Sequence, residues 1–420
     1  VANIVPDIDR QAGIDCYCTE FPGINGRIKE KNNDFYVSEL INESFLKSPY
    51  FSSQQNKTNK FPLFLLEKNG LDSNHALIEI KKKTGLNLRI LGIKDAKAIT
   101  VQYASAENTK NFPREIQTSK IRLSLLGFLS KPLSKSILIG NNFEIRIHNV
   151  LEDDLSVFSS EINKIANFYG LQRFGSERMV THLVGKAILK RQFDKAIEYL
   201  LCYTSIYDSK FSKEIREKSR DPKNYPILIK NIPKGMDLER KIMSVLADGK
   251  GPIFALRSLP ISIRRLFVHA YQSYVYNKCL STAILEGEDI HICNSGDLCF
   301  EIEKPLIFGK IKKFSKVDSY ENIIPAIRLV GYNFQAGKDS RFDNIIRRIL
   351  HDDEILPSNF YIKELQELSL QTGFRQTSLC CTDFMYSGAT ILSFKLPKGS
   401  YATTLLRELI KPKDPIKCGF

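Results

Sequence analysis

The chain has 420 residues, 43% hydrophobic and 26% charged, with no tryptophan, a profile that excludes a disordered tail or a fibre. Its 61 Lys plus Arg outnumber 47 Asp plus Glu, leaving a formal charge of +14 that favours polyanionic partners, nucleic acid first, through counterion release. No membrane association is expected: no apolar run approaches the roughly 20 residues that span a bilayer, neither a cationic amphipathic helix nor a lipidation motif stands out, and the N-terminal stretch lacks a signal-peptide core.

Phe35 to Leu40 is rich in strand formers. Phe61 to Leu66 reads as an edge or entry strand, because Pro62 cannot donate to a ladder. A short helix is expected over Asp72 to Lys83, capped by Asp72, Ser73 or Asn74, ending on Lys81 to Lys83 and stopped by Gly85. Asn142 to His148 alternates apolar and polar residues, the period of a strand with one buried face. Helical spacing follows from Ser159 to Asn167 and from Thr181 to Tyr203.

Residues 208 to 250 change character, with a charged run from Lys210 to Lys223 and turn signals at Asp221-Pro222 and Lys234-Gly235. They read as a passage between domains. Ile261 to Thr282 is the strongest helical segment, with Leu266, Ala270, Tyr274 and Asn277 in line. The tail returns to strand at Ile391 to Leu396, turns through Pro397-Lys398-Gly399 and continues from Tyr401 to Ile410. No internal repeat or low-complexity tract is present. Nine cysteines lie scattered along the chain without a disulfide framework or zinc-site spacing, as expected for buried thiols in a reducing cytoplasm.

The segment densest in reactive groups is Leu91 to Gln102, where Gly92 precedes a lone carboxylate, Asp95, set between Lys94 and Lys97. Such a carboxylate lies within a polyanion's reach and can serve as a base or nucleophile. By itself the pattern better describes a surface ion pair at a turn.

Its company alters that reading. The segment resembles the catalytic motif of the TruD family of pseudouridine synthases, G-x-K-D-x-x-A-x-T-x-Q, and matches every fixed position from Gly92 to Gln102. Gly26 to Lys29, then Asn33-Asp34-Phe35 with Val37 and Glu39, resemble the family's opening motif. Gly140-Asn141-x-Phe143, Asn167 to Gly175 and Gly185-Lys186 resemble further ones, as does Ala270 to Asn277. Phe394 to Thr403 and Leu406-Arg407-Glu408 resemble the C-terminal signature. These motifs follow the family order, and the length and N-terminal stretch resemble archaeal members more than bacterial ones.

The resemblance implies an α+β fold, a catalytic domain with a mixed, largely antiparallel sheet, interrupted by an inserted α/β domain. Motif spacing places the catalytic domain at 1–194 plus 371–420 and the insertion at 195–370. It implies isomerisation of a specific uridine in tRNA to pseudouridine, at uridine 13 or, as in some archaeal and eukaryotic relatives, at uridine 35 of tRNA for tyrosine. Asp95 would attack the base or ribose, or abstract a sugar proton. No cofactor or metal is implied, in keeping with the lack of a Walker loop or dinucleotide fingerprint.

The same alignment makes Lys29 and Asn167 active-site partners of Asp95, and Tyr169 a stacking face for a flipped uracil. Tyr169 departs from the commoner Asn-Tyr-Phe-Gly order, since the chain reads Asn-Phe-Tyr-Gly. Phe394 and the Leu396 to Gly399 turn are expected to close the pocket, Gln172 and Arg173 to bind substrate, and Arg173 to meet a phosphate. Ala283 stands where many relatives carry Arg. Basic clusters at Lys81 to Lys83, Arg264-Arg265, Lys310 to Lys313 and Arg347-Arg348 are expected to line an RNA cleft between the two domains. A non-catalytic RNA-binding protein is the rival reading, but it would have no use for Asp95 and Lys29.

Overall fold

The computed structural model describes residues 4–107, 112–150, 154–233, 235–315, 321–387 and 390–420. Lys234, part of one expected turn, lies outside them. The first half of the chain supplies strands β1 (Phe35–Ile41), β2 (Phe51–Ser52), β3 (Phe61–Asn69), β4 (Leu88–Ile90), β5 (Ile99–Ala106), β6 (Glu115–Gln117), β7 (Ile121–Leu129) and β8 (Leu138–Arg146). A separate small sheet follows from β9 (Leu298–Lys304), β10 (Ile307–Lys313), β11 (Ile323–Leu329) and β12 (Gly373–Gln376), after which β13 (Thr382–Ser387) and β14 (Ile391–Pro397) return to the large one. The large sheet runs β13, β14, β8, β1, β5, β3, β7, β2, with β4 paired to β5 and β6 to β7. Its described pairings are antiparallel except β1 against β5, where Val37 lies opposite Thr100. The fold is thus α+β, as the resemblance implied.

Alternation explains where this sheet buries its side chains. Phe35, Val37, Glu39 and Ile41 of β1 all point inward, as a two-residue period requires. Phe35 and Val37 join Phe143, Ile145, Leu392 and Phe394 in a core closed by the helix Ala402–Ile410, while Ile41 packs into a neighbouring cluster with Leu63 and Leu129. Across the sheet, the helix Ser73–Thr84 has the expected ends: Asp72 accepts from the Asn74 and His75 amides, and Gly85 closes the helix at φ +73°.

Several expectations are corrected. The Phe61–Leu66 segment is no edge: β3 lies between β5 and β7. Pro62 is tolerated because β5 pairs only from Leu63 onward. The expected helix to Asn167 ends at Glu161, followed by a 3-10 turn, Ile162–Lys164. From there the backbone is extended and claimed by another strand-like segment, with Asn167 N donating to Thr377 O at 2.7 Å and Leu379 N to Ile165 O at 2.9 Å. The single helix expected from Thr181 to Tyr203 is two, Thr181–Leu189 and Phe193–Cys202, broken where Arg191 turns left-handed at φ +59°. Its guanidinium is drawn aside to the Leu189, Asn359 and Tyr361 carbonyls.

Residues 208–250 form packed helices, among them Lys210–Lys218 and Asp237–Ala247. Ile215, Ile242 and Met243 enter the same core as Phe168, Val184 and Tyr271. The axis of that core is the helix Ile261–Leu285, lying so close to Thr181–Leu189 that a Cβ on Gly185 would fall 2.0 Å from Phe267 O. Ala283 is fully buried within it, so the position faces the core and offers no contact to RNA. Asn277 on the same helix joins three segments, donating to Ala12 O and Tyr169 O and accepting from Tyr169 N. No helix among the described residues is long and apolar enough to cross a membrane.

Candidate active site

A cleft of about 420 Å³ opens where β1, β5 and β8 meet the helix Ile261–Leu285. Phe35, Val37, Thr100 and Phe143 form its floor, Lys94 and Asp95 one lip, and Gln172, Arg173, Leu266 and Tyr401 the opposite wall. Apolar surface with a few converging polar groups is the usual form of a ligand site.

Asp95 is delivered by the loop between β4 and β5, and the loop's polar atoms are tied down from below. Lys94 N donates to Ser73 Oγ at 3.0 Å, and Gln102 Nε2 to Gly92 O at 3.1 Å. The Ser73 hydroxyl in turn donates to Gln102 Oε1. The Lys94 ammonium turns away from Asp95 to meet Asn141 Oδ1 at 2.9 Å and Glu39 Oε1 at 3.0 Å, while Glu39 Oε2 accepts from Tyr103 N. Glu39, Lys94 and Gln102, quoted above as motif positions without a role, therefore build the loop's frame.

Beneath them lies Lys68, which sequence reasoning passed over. It is fully buried on β3, and its ammonium donates to the carbonyls of Leu71 at 2.7 Å, Asp95 at 2.8 Å and Lys94 at 3.3 Å. Burial pushes this ammonium down to about 8, although the Asp95 and Asp72 carboxylates work in the opposite direction. A signal did exist: Phe64, Leu66 and Lys68 share the inward face of one strand, and a lysine on such a face must have partners for its charge.

The Asp95 carboxylate itself points into the cleft with its side chain 46% exposed, and Lys29 Nζ reaches Oδ2 at 2.8 Å. Lys29 is only 8% exposed and lies 4.6 Å from the centre of the Phe35 ring. Its backbone is left-handed, at φ +57°, which costs a non-glycine residue roughly 1–2 kcal/mol. The flanking residues hold it there, Arg27 N donating to His148 O and Ile28 N to Cys418 O. The expected Lys29–Asp95 partnership is thus assembled in space.

The other expected residues divide. Gln172 and Arg173 line the cleft from the 3-10 turn Leu171–Phe174. Asn167 does not touch Asp95. It is buried one layer behind the wall, where its Oδ1 accepts from Arg375 at 2.9 Å and from Ser400 Oγ at 3.0 Å, and so sets the turn that carries Tyr401. Tyr169 is also behind the wall, its ring covered by the Arg375 guanidinium at 4.0 Å and flanked edge-on by Tyr276 and Tyr401. Phe394 is fully buried and stacks on Phe143 at 5.3 Å, supporting the floor from beneath. The aromatic rings that face the cleft are Phe35, Phe143 and Tyr401.

None of the expected basic clusters lines this cleft. Arg264 pairs with Glu367, Arg348 with Glu286, Lys312 with Glu301 and Lys313 with Asp339; among the described residues the cationic side chains lining the cleft are Lys94 and Arg173, with Lys29 reaching its Asp95 lip. Among the described residues no group of three or more His, Cys, Asp or Glu side chains is arranged to hold a metal.

A carboxylate fixed in position, partnered by a buried ammonium and facing a nucleobase-sized cleft, can act as a nucleophile or base toward a bound ring or sugar. Comparison with known proteins agrees. The family model described as tRNA pseudouridine synthase D (TruD) matches residues 11–409. Proteins named "Probable tRNA pseudouridine synthase D" from Pyrobaculum islandicum and Methanococcoides burtonii are 30% and 28% identical to this chain, each alignment covering 99% of both sequences. The crystal structure of the Methanosarcina mazei protein described as tRNA pseudouridine synthase D (TruD) superposes with a TM-score of 0.75 at 27% identity, covering 98% of this chain and 99% of that one. With the match running from before Lys29 to beyond Tyr401, the chain belongs to the tRNA pseudouridine synthase D (TruD) family of isomerases.

Proposed function

We propose that the protein converts uridine 13 of tRNA to pseudouridine, with Asp95 as the nucleophile or base that acts on the nucleotide, and that it does so in the cytoplasm without cofactor or metal. The observation that carries this reading is the Asp95 carboxylate, held by Lys29 at 2.8 Å at the lip of the cleft. In the reaction the N1–C1′ bond breaks, the freed uracil turns, C5 bonds to C1′, the C5 proton leaves and N1 takes one up. The product is an isomer of the substrate, so the balance needs no oxidant and no energy source.

The cleft supports each stage with residues at hand. Phe35, Phe143 and Tyr401 would enclose a flipped base, and a walled cleft would keep the cleaved uracil from escaping while it turns. Arg173 and Lys29 offset the charge of the entering backbone. Residues 195–370 serve as the inserted domain, whose helix Ile261–Leu285 contributes Leu266 to the wall.

The test is chemical mapping of pseudouridine in unmodified tRNA transcripts incubated with the protein and a chelator, beside Asp95→Asn. New pseudouridine at position 13, absent with the variant, is the expected result. Product at position 35 of tRNA for tyrosine would move the target. Product formed equally by Asp95→Asn would remove Asp95 from the chemistry.

A further inference from the structure

Asp95 presents a difficulty that its neighbours must solve. Its side chain is nearly half exposed on a loop, yet a nucleophile displaced by 1 Å can lose on the order of 100-fold in rate. Lys29 restrains the carboxylate but not the backbone that carries it. A loop between strands, left to water, samples many conformations.

We propose that Lys68 is the positioning residue of the reaction, its buried ammonium fixing the main chain of Asp95 so that the carboxylate meets the substrate in one orientation. This rests on the reading of Asp95 given above. Three observations carry it. An ammonium has three donors, and here all three go to main-chain carbonyls, those of Leu71, Lys94 and Asp95. Two belong to the loop itself, and the third belongs to the segment leading into the Ser73–Thr84 helix, whose Ser73 also accepts from Lys94 N. One charged group thus bolts the loop to β3 and to that helix at once.

The second observation is what Lys68 does not do. A buried lysine ordinarily answers a carboxylate, but this one has no side-chain partner within hydrogen-bonding distance among the described residues. Its charge is spent on orienting backbone dipoles beneath the reactive group. The third is its mounting. Lys68 lies on a strand paired on both sides, opposite Thr100 of β5 and Ile121 of β7, so the bolt is set in a regular element and not in a loop. Methionine at this position would fill the same volume while leaving the three carbonyls unanswered. Arginine would keep the charge, but its planar fork cannot reproduce the three-way geometry of an ammonium.

The experiment measures single-turnover pseudouridine formation and tRNA affinity for the full-length wild type, Lys68→Met, Lys68→Arg and Asp95→Asn, each assayed well below its own melting temperature. The expected result is a saturating rate lower by on the order of 30- to 100-fold in Lys68→Met, with half-saturation within about threefold of wild type. Lys68→Arg is expected to lose about tenfold, since it restores the charge without the geometry. A general structural role would move affinity and rate together, or neither once the variant is folded. A folded Lys68→Met or Lys68→Arg with the wild-type rate overturns the proposal. If Lys68→Met does not fold, the rate of Lys68→Arg decides alone. Full activity in Asp95→Asn would overturn the reading of Asp95 instead, whereas an inactive Asp95→Asn beside fully active Lys68 variants overturns only the role of Lys68.

Discussion

Lys29 and Asp95 meet at 2.8 Å across 66 positions of sequence, and the contact is asymmetric: the cation is buried and the carboxylate is half in solvent. The pair therefore orients Asp95 more than it stabilises the fold, because a solvent-screened ion pair contributes little to stability. Lys29→Met should leave the melting temperature close to wild type and lower turnover by about 10- to 100-fold, the range for a lost hydrogen bond to a charged group. Pseudouridine formation alongside thermal melting checks this. A large loss of stability at unchanged turnover would make the pair a structural one.

Two tyrosines separate wall from support. Tyr401 faces the cleft, whereas Tyr169 lies behind it beneath the Arg375 guanidinium. Tyr401→Ala should cost roughly 1–3 kcal/mol of base stacking and show it in the kinetics, with the fold retained. Tyr169→Ala should cost about 3–5 kcal/mol of stability, as removal of a buried aromatic ring does. Urea denaturation and single-turnover rates measured on both variants would reverse these assignments if Tyr169→Ala kept its stability and lost only activity.

The motif residues were legible in the sequence because their chemistry is local. Asp95 sits beside glycine and lysine, and its partner Lys29 was found through family resemblance. What the sequence did not reveal is depth. Tyr169 and Phe394 have the residue types a base-binding pocket requires, yet each lies one layer back, Tyr169 behind the cleft-lining Arg173 and Tyr401 and under Arg375, and Phe394 behind Phe143. Nothing near Tyr169 in sequence announces Arg375, which arrives on β12 from far along the chain. Lys68 was hidden for the opposite reason. Its flanking Glu67 and Asn69 make it look solvated, and only the inward phase shared with Phe64 and Leu66 marks it as buried. Pro62 misled only as to an edge: it stands at the entry of an interior strand, where the ladder to β5 has not yet begun.

Lys68 also predicts a pH dependence of stability. Burial lowers its ammonium to about 8 in the folded chain, against about 10.4 when unfolded. Between those values the unfolded chain binds more protons, so the contribution of Lys68 to stability rises with pH. The stability difference between wild type and Lys68→Met should shift in favour of wild type by about 1.5 kcal/mol from pH 8 to pH 9.5. Urea denaturation of both proteins at several pH values measures it. A shift of opposite sign would mean that the fold raises this ammonium rather than lowering it.

Arg173 is the arginine of the cleft wall, and its buried Nε has no hydrogen-bond partner among the described residues. Its guanidinium lies 5.3 Å from the Tyr169 ring centre, so the side chain is braced by stacking while hydrogen-bonding capacity remains for a ligand. If that ligand is a phosphate, binding releases about one counterion through this residue. Arg173→Gln should then weaken tRNA binding more at 50 mM than at 200 mM salt and reduce the slope of log affinity against log salt by about one. Titrations at four salt concentrations suffice to read the slope. An unchanged slope combined with a lower rate at saturating tRNA would assign Arg173 to the flipped base instead, because a contact to a neutral ring releases no counterion and acts after binding.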